Sequence, residues 1–240
     1  METDELSEYA QLTIKAFHTQ LYKKANKNFD ELVYEMVPFL KGHIDSYILS
    51  NASFFVPLEK NTSIFRGRND EKEIKSDFKE FTAPPVEKTK NLRMSREGVS
   101  YFYGSLDKST AKMEAISQEY NYKYIAQFQT KTPLILFDLA NVDLAYKDSD
   151  DEITREAKIF LNYYTQYISL PINNGNYLYT QVITHFIKIY IKQHLQDGTI
   201  KDVDGILFKS SKTKEMNVVL FYDNDNSEKI LSLEKVERYS

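Results

Sequence analysis

The sequence predicts an α+β protein, and three observations carry that reading. The first fifty residues space apolar side chains at the three-to-four step of amphipathic helices. From about residue 63 the pattern changes to short β-branched and aromatic runs interleaved with helical stretches. No internal repeat or low-complexity linker interrupts the 240 residues, and 42% hydrophobic content over that length suffices for a sizeable core. The expected organisation is a small helical N-terminal element over residues 1–60, followed by a larger domain over 61–240 with a mixed sheet and flanking helices.

Taken in order, residues 4–24 place Leu6, Tyr9, Ala10, Ile14, Phe17 and Leu21 on one helical stripe, with Asp4 and Glu5 favouring the positive end of the helix. A second helix is expected from about Asp30 to Ile48, with Pro38 kinking or dividing it. "SIFRGR" at 63–68 reads as a short strand, and "TAPP" at 82–85 as a turn, because paired prolines exclude regular structure. "VSYFYGSL" is a strand with Gly104 inside it, and "KSTAKMEAISQEY" continues as helix. "YKYIAQFQT" and "PLILFDL" are strands by their β-branched and aromatic content. Helices are expected at about 152–167 and 177–195, and the strands "GILFKS", "NVVLFYD" and "KILSLEKV" close the chain.

Composition removes several classes of function. With 31 basic and 35 acidic residues the formal net charge is -4, which offers no overall attraction to nucleic acid or an anionic membrane. The absence of cysteine excludes disulfides, thiolate metal sites and cysteine nucleophiles. Without a basic, apolar leader or a long apolar run, the expectation is a soluble cytoplasmic protein. No GxSxG elbow, GxxxxGK[ST] loop or GxGxxG turn occurs among the seven glycines. The four histidines, His18, His43, His185 and His194, lack metal-ligand spacing, so no metal site is expected.

What remains is a cluster of chemistry-bearing types. Arg66 lies in or beside a strand, Arg93 and Arg96 precede the aromatic strand carrying Tyr101 and Tyr103, and Glu114 follows on a helix. Arginine forks match phosphate oxygens, and aromatic faces accept a planar ring, a combination suited to a dinucleotide. On spacing alone, sheet packing by the tyrosines and surface ion pairing by the arginines is the stronger reading. Glu114 shares a helical face with Thr110 and Ala111, where a partly buried carboxylate needs a partner or marks a site. Near the C-terminus, "DGILFKSSKTKEMNVVLF" reads as a hairpin whose polar residues include Ser210, Ser211 and Asn217.

The blocks "FRGR", "LRMSREGVSYFYGSLDKSTAKMEAI", "YLYTQVITHFIK" and "DGILFKSS" with "NVVLF" closely resemble the RES-domain family, in the branch where a helical N-terminal segment precedes the domain. The resemblance covers roughly residues 63–223. It implies a fold similar to ADP-ribosyltransferase toxins and an enzyme that degrades NAD at the nicotinamide bond, by phosphorolysis or hydrolysis, as a toxin or defence effector. Carried over, it assigns Arg66, Glu114 and Ser210 to catalysis, and Arg93, Tyr103, Gln181 and Asn217 to binding NAD. It further implies NAD as substrate, inorganic phosphate as co-substrate if the reaction is phosphorolysis, and an antitoxin or regulatory protein as partner; composition and histidine spacing leave no expected role for metal, nucleic acid or membrane. Its apolar N-terminal helices could serve a homo-oligomer as well as an intramolecular cap. Two rival expectations are ADP-ribosyl transfer to a macromolecule and an inactive partner-binding module. The chain departs from the family pattern at Leu92, where glycine is usual, and at Phe65, where tyrosine is usual and the hydroxyl is therefore lost.

Overall fold

A computed structural model describes residues 3–25, 27–44, 54–116, 119–142, 152–169 and 177–239. Helices α1 (Thr3–Lys24) and α2 (Phe29–His43) open the chain, and Pro38 is accommodated within α2 without dividing it. Asn28 caps α2, its side chain accepting from the Glu31 amide at 2.9 Å, while Asp30 and Glu31 occupy the favourable end of the helix dipole. The expected continuation of α2 over residues 45–48 lies outside the described residues.

The rest of the described chain is built on an eight-stranded sheet. Its strands are β1 (Phe55–Leu58), β2 (Ser63–Asp70), β3 (Phe102–Ser105), β4 (Tyr122–Thr130), β5 (Leu134–Asp138), β8 (Gly205–Lys209), β9 (Met216–Leu220) and β10 (Leu231–Tyr239). They lie in the order β1-β5-β8-β9-β3-β2-β4-β10, with β5 and β8 parallel and every other neighbouring pair antiparallel. Five further helices are α3 (Phe78–Phe81), α4 (Lys108–Ala115), α5 (Glu152–Ser169), α6 (Leu178–Tyr190) and α7 (Ser227–Ile230). The α+β expectation and the leading helical pair therefore hold.

Three elements depart from the sequence reading. The helix expected over "KSTAKMEAISQEY" ends at Ala115, where Ile116 turns extended and its amide closes on the Lys112 carbonyl. Strand β1, to which the sequence reading assigns no element, contains Pro57, and at the sheet edge its missing N–H removes no ladder bond. The helix expected to reach residue 195 stops at Tyr190. Residues Lys192–His194 (β6) instead pair with Ile200–Asp202 (β7) around a turn in which Gly198 takes φ 82, a left-handed conformation that glycine adopts without strain.

The N-terminal helices share one hydrophobic core with α5 and α6. Phe17, Leu21, Met36 and Leu40 are buried with Phe160, Tyr164, Val182 and Phe186, and Phe17 meets the Tyr179 ring edge-on at 5.0 Å. Three histidines lie in this joint. His18 stacks on Tyr179 at 4.6 Å, His43 stacks on Phe160 at 6.0 Å, and His185 lies perpendicular to Phe29 at 5.6 Å. Burial lowers all three below the ordinary histidine value of 6.5. The unfolded chain therefore takes up protons near pH 6.5 while the folded joint resists them, so the stability these groups support is present above that pH and lost below it. Thermal unfolding followed between pH 7.5 and 5.5 is expected to show a falling Tm, and His43→Phe to reduce the slope. A Tm that holds level over this interval would exclude the effect.

Among the described residues, no helix is long and apolar enough to cross a membrane.

Candidate functional site

The sheet is weakly joined at one place. Strand β2 pairs with β4 from Ser63 to Asp70, but with β3 only at Phe65 opposite Ser105. The two strands separate beyond that point, and a cleft of about 450 Å³ opens beside them. Arg66, Arg93, Tyr103, Glu114 and Asn217 all line it. Apolar walls come from Phe65, Leu92, Ile168, Tyr177 and Phe208.

Arg66 stands at the seam. Its Nη1 donates to the Tyr103 carbonyl at 2.7 Å, bridging the separated strands, and its guanidinium lies 5.6 Å from the Phe102 ring centre. Burial, followed by the nearby charge of Arg68, pulls it down to about 10, so it remains a cation at neutral pH. Arg93 is held from several sides. Its Nη1 donates to the Ile168 carbonyl, its own carbonyl accepts from Thr180 Oγ1, and Gln181 Nε2 donates to the carbonyls of Leu92 (2.8 Å) and Ser95 (3.2 Å). Neither Arg66 nor Arg93 forms an ion pair with a described residue, although structural arginines usually find a carboxylate.

Glu114 lies in the last turn of α4, the end of a helix where negative charge is disfavoured. Two side-chain donors offset this. Ser210 Oγ donates to Oε1 at 2.5 Å, and Asn217 Nδ2 approaches the same oxygen at 3.4 Å. Ser210 also accepts from the Lys212 and Thr213 amides at 3.1 and 3.3 Å, so its single proton is directed to the carboxylate. The loop that carries Ser210 is itself fastened to α4, with Thr213 Oγ1 at 2.8 Å from Thr110 Oγ1 and Lys212 Nζ donating to the Met113 carbonyl at 2.6 Å. Glu114 has no cationic partner among the described residues, and its side chain is exposed at the cleft.

Glycine brings this helix to the strand. A Cβ added to Gly67 would lie 2.5 Å from Ala115 Cβ and 3.0 Å from the Ala111 carbonyl oxygen, so β2 and α4 meet with no room for a side chain. Asp107 starts α4, accepting from the Thr110 amide at 2.7 Å, and these bonds, led by that from Ser109, hold its carboxyl below the ordinary value. Gly67→Ala is expected to cost about 1–3 kcal/mol by overpacking, read as a lower Tm. Ala115→Gly in the same background is expected to recover part of it. An unchanged Tm for Gly67→Ala would show that α4 can move away freely.

The expected site residues thus fall into two layers. Arg66, Arg93, Tyr103, Glu114 and Asn217 line the cleft, whereas Ser210 and Gln181 are buried behind it, one holding Glu114 and the other the loop of Arg93. The Tyr103 hydroxyl bonds Ser95 Oγ at 2.9 Å, and burial pushes it up to about 12, so it stays neutral. Tyr101 is buried outside the cleft, with Lys188 over its ring at 4.8 Å, and Arg96 turns away to Asp30 of α2. Spacing gave no signal for Phe208, Ile168 or Tyr177, whose presence at the cleft depends on how distant segments pack. Among the described residues no group of three or more acidic or histidine side chains could hold a metal ion.

The arrangement offers two fixed cations, one fixed carboxylate and apolar walls in a single cavity. A family model described as RES domain matches residues 64–238, from β2 into β10, and leaves α1 and α2 before it. No curated protein and no solved structure matches the chain.

Proposed function

We propose that this chain, which belongs to the RES-domain family by a match over more than half its length, cleaves the nicotinamide N-glycosidic bond of NAD, with inorganic phosphate or water as acceptor. The observation that carries the reading is the opposed charge of the cleft: among the described residues, Glu114 has no cationic partner, and Arg66 and Arg93 have no anionic ones. A dinucleotide complements that pattern, since its pyrophosphate is an anion and the reacting ribose becomes cationic.

In the reaction the bond between ribose C1′ and the nicotinamide nitrogen breaks, and its electron pair leaves with nicotinamide, which departs neutral. No strong general acid is required. Positive charge develops on the sugar as in other glycosidic cleavage, and Glu114 stabilises it. A phosphate oxygen then adds to C1′ to give ADP-ribose 1″-phosphate, or water adds and loses a proton to give ADP-ribose. Arg66 and Arg93 hold the pyrophosphate or the incoming phosphate with charge-assisted hydrogen bonds, and the apolar walls seat the rings. Asn217 and Ser210 fix the carboxylate. A role as toxin or defence effector, restrained by an antitoxin or regulatory protein, is supported only by the family's association with such systems and belongs to the same proposal.

The test is nicotinamide release from NAD by the purified protein, with and without inorganic phosphate. Release stimulated by phosphate identifies a phosphorylase, and release independent of it a glycohydrolase. A labelled macromolecule in lysate supplied with labelled NAD would replace both with ADP-ribosyl transfer, and no release under any of these conditions would reject the reading.

A further inference from the structure

The loop that presents Arg93 is gripped at both ends, and one grip comes from outside the matched domain. At the inner end, Thr180 and Gln181 of α6 take the carbonyls of Leu92, Arg93 and Ser95. At the outer end, Arg96 reaches α2: its Nη2 lies 3.1 Å from Asp30 Oδ1, and its guanidinium sits 4.7 Å from the centre of the Phe29 ring. Phe29 in turn meets His185 of α6 at 5.6 Å, one turn beyond Gln181. The loop between these grips is closed on itself, with the Leu92 amide donating to the Ser95 carbonyl at 2.8 Å and the Glu97 amide to Asn91 Oδ1 at 3.1 Å. Such a loop transmits displacement at Arg96 to Arg93, three residues away, instead of absorbing it.

We propose that Phe29 and Asp30 are positioning residues for Arg93, so that the helical segment preceding the RES domain is a working part of the site. The inference rests on the assignment of Arg93 to substrate binding. Phe29 provides a planar face that selects the guanidinium, and Asp30 fixes its orientation. The ion pair is exposed and adds little by itself, so the coupling depends on both contacts acting together. Phe29, Asp30 and Arg96 do not line the cleft, so their loss acts on binding more than on the chemical step.

The full-length double variant Phe29→Leu/Asp30→Asn tests this, because it keeps an apolar side chain and a polar first turn in α2. Amide hydrogen exchange over residues 91–99 is expected to speed up by about fivefold, and KM for NAD to rise by about the same factor with kcat nearly constant. Arg96→Met is expected to reproduce both changes, and Arg96→Lys, which keeps a cation over Phe29, to recover part of each. Exchange that is unchanged in the double variant overturns the coupling whatever the protein's activity. Faster exchange with an unchanged KM overturns the positioning role. If the wild-type protein releases no nicotinamide, the proposed function fails, while exchange still decides whether α2 holds the loop.

Discussion

Glu114→Gln is expected to lower the rate of nicotinamide release by on the order of a hundredfold or more while leaving NAD binding within a few-fold of wild type. Glutamine keeps an oxygen to accept from Ser210 and Asn217, so the fastening of α4 to the loop after β8 survives and only the charge is removed. The ground state of NAD carries its positive charge on the pyridinium, whereas the transition state shifts it toward the ribose, so a carboxylate placed at the sugar acts mainly on the barrier. Glu114→Ala is expected to lose at least as much rate and some stability too, because it leaves the buried Ser210 hydroxyl without its acceptor, at a cost of about 1–3 kcal/mol. Single-turnover rates beside equilibrium binding of NAD separate these effects. Parallel loss of binding and rate in Glu114→Gln would place Glu114 in substrate binding and remove it from charge stabilisation.

Arg66→Met is expected to raise KM for NAD by about 10–100-fold, the scale of one or two charge-assisted hydrogen bonds to a phosphate. Arg66 also joins β2 to β3 through the Tyr103 carbonyl, just where the backbone ladder has only one paired position, so some loss of stability accompanies the change. Arg66→Lys distinguishes the two contributions. Lysine retains the cation but cannot donate to Tyr103 and grip a phosphate through a planar fork at once. The expected order in KM is wild type, then Lys, then Met, with Tm varying much less than KM. If Tm falls in step with the loss of binding, the arginine is a structural bridge and the phosphate must be held elsewhere.

The local features of the fold were legible because their causes are local. Phe17 and Leu21 repeat on one stripe of α1, and α4 begins at Lys108, where the sequence reading starts its helix. Strand β1 was not legible, because a proline such as Pro57 is compatible with a strand only at an edge, and which strand lies at the edge is a property of the sheet order. The chemically distinctive side chains Arg66, Arg93, Glu114 and Asn217 could be named from the chain, but their layering could not. Ser210 belongs behind Glu114 because two backbone amides already occupy its oxygen, and Gln181 belongs behind Arg93 because its amide meets carbonyls from a loop eighty-odd residues away.

By itself, then, the sequence determined the α+β class, the helical pair before the domain, the RES-domain kinship and the residue types available for chemistry, since periodicity, capping and motif are written within a few turns of chain. Only the tertiary structure decided that β2 and β3 part after a single paired position, that Gly67 lets α4 carry Glu114 against β2, and that Arg93 is gripped by α6 within the domain and, through Arg96, by α2 outside it. The physical reason is range: hydrogen bonds and packing between segments far apart in sequence leave no periodic trace in either segment, and a cleft exists only where two such segments fail to close.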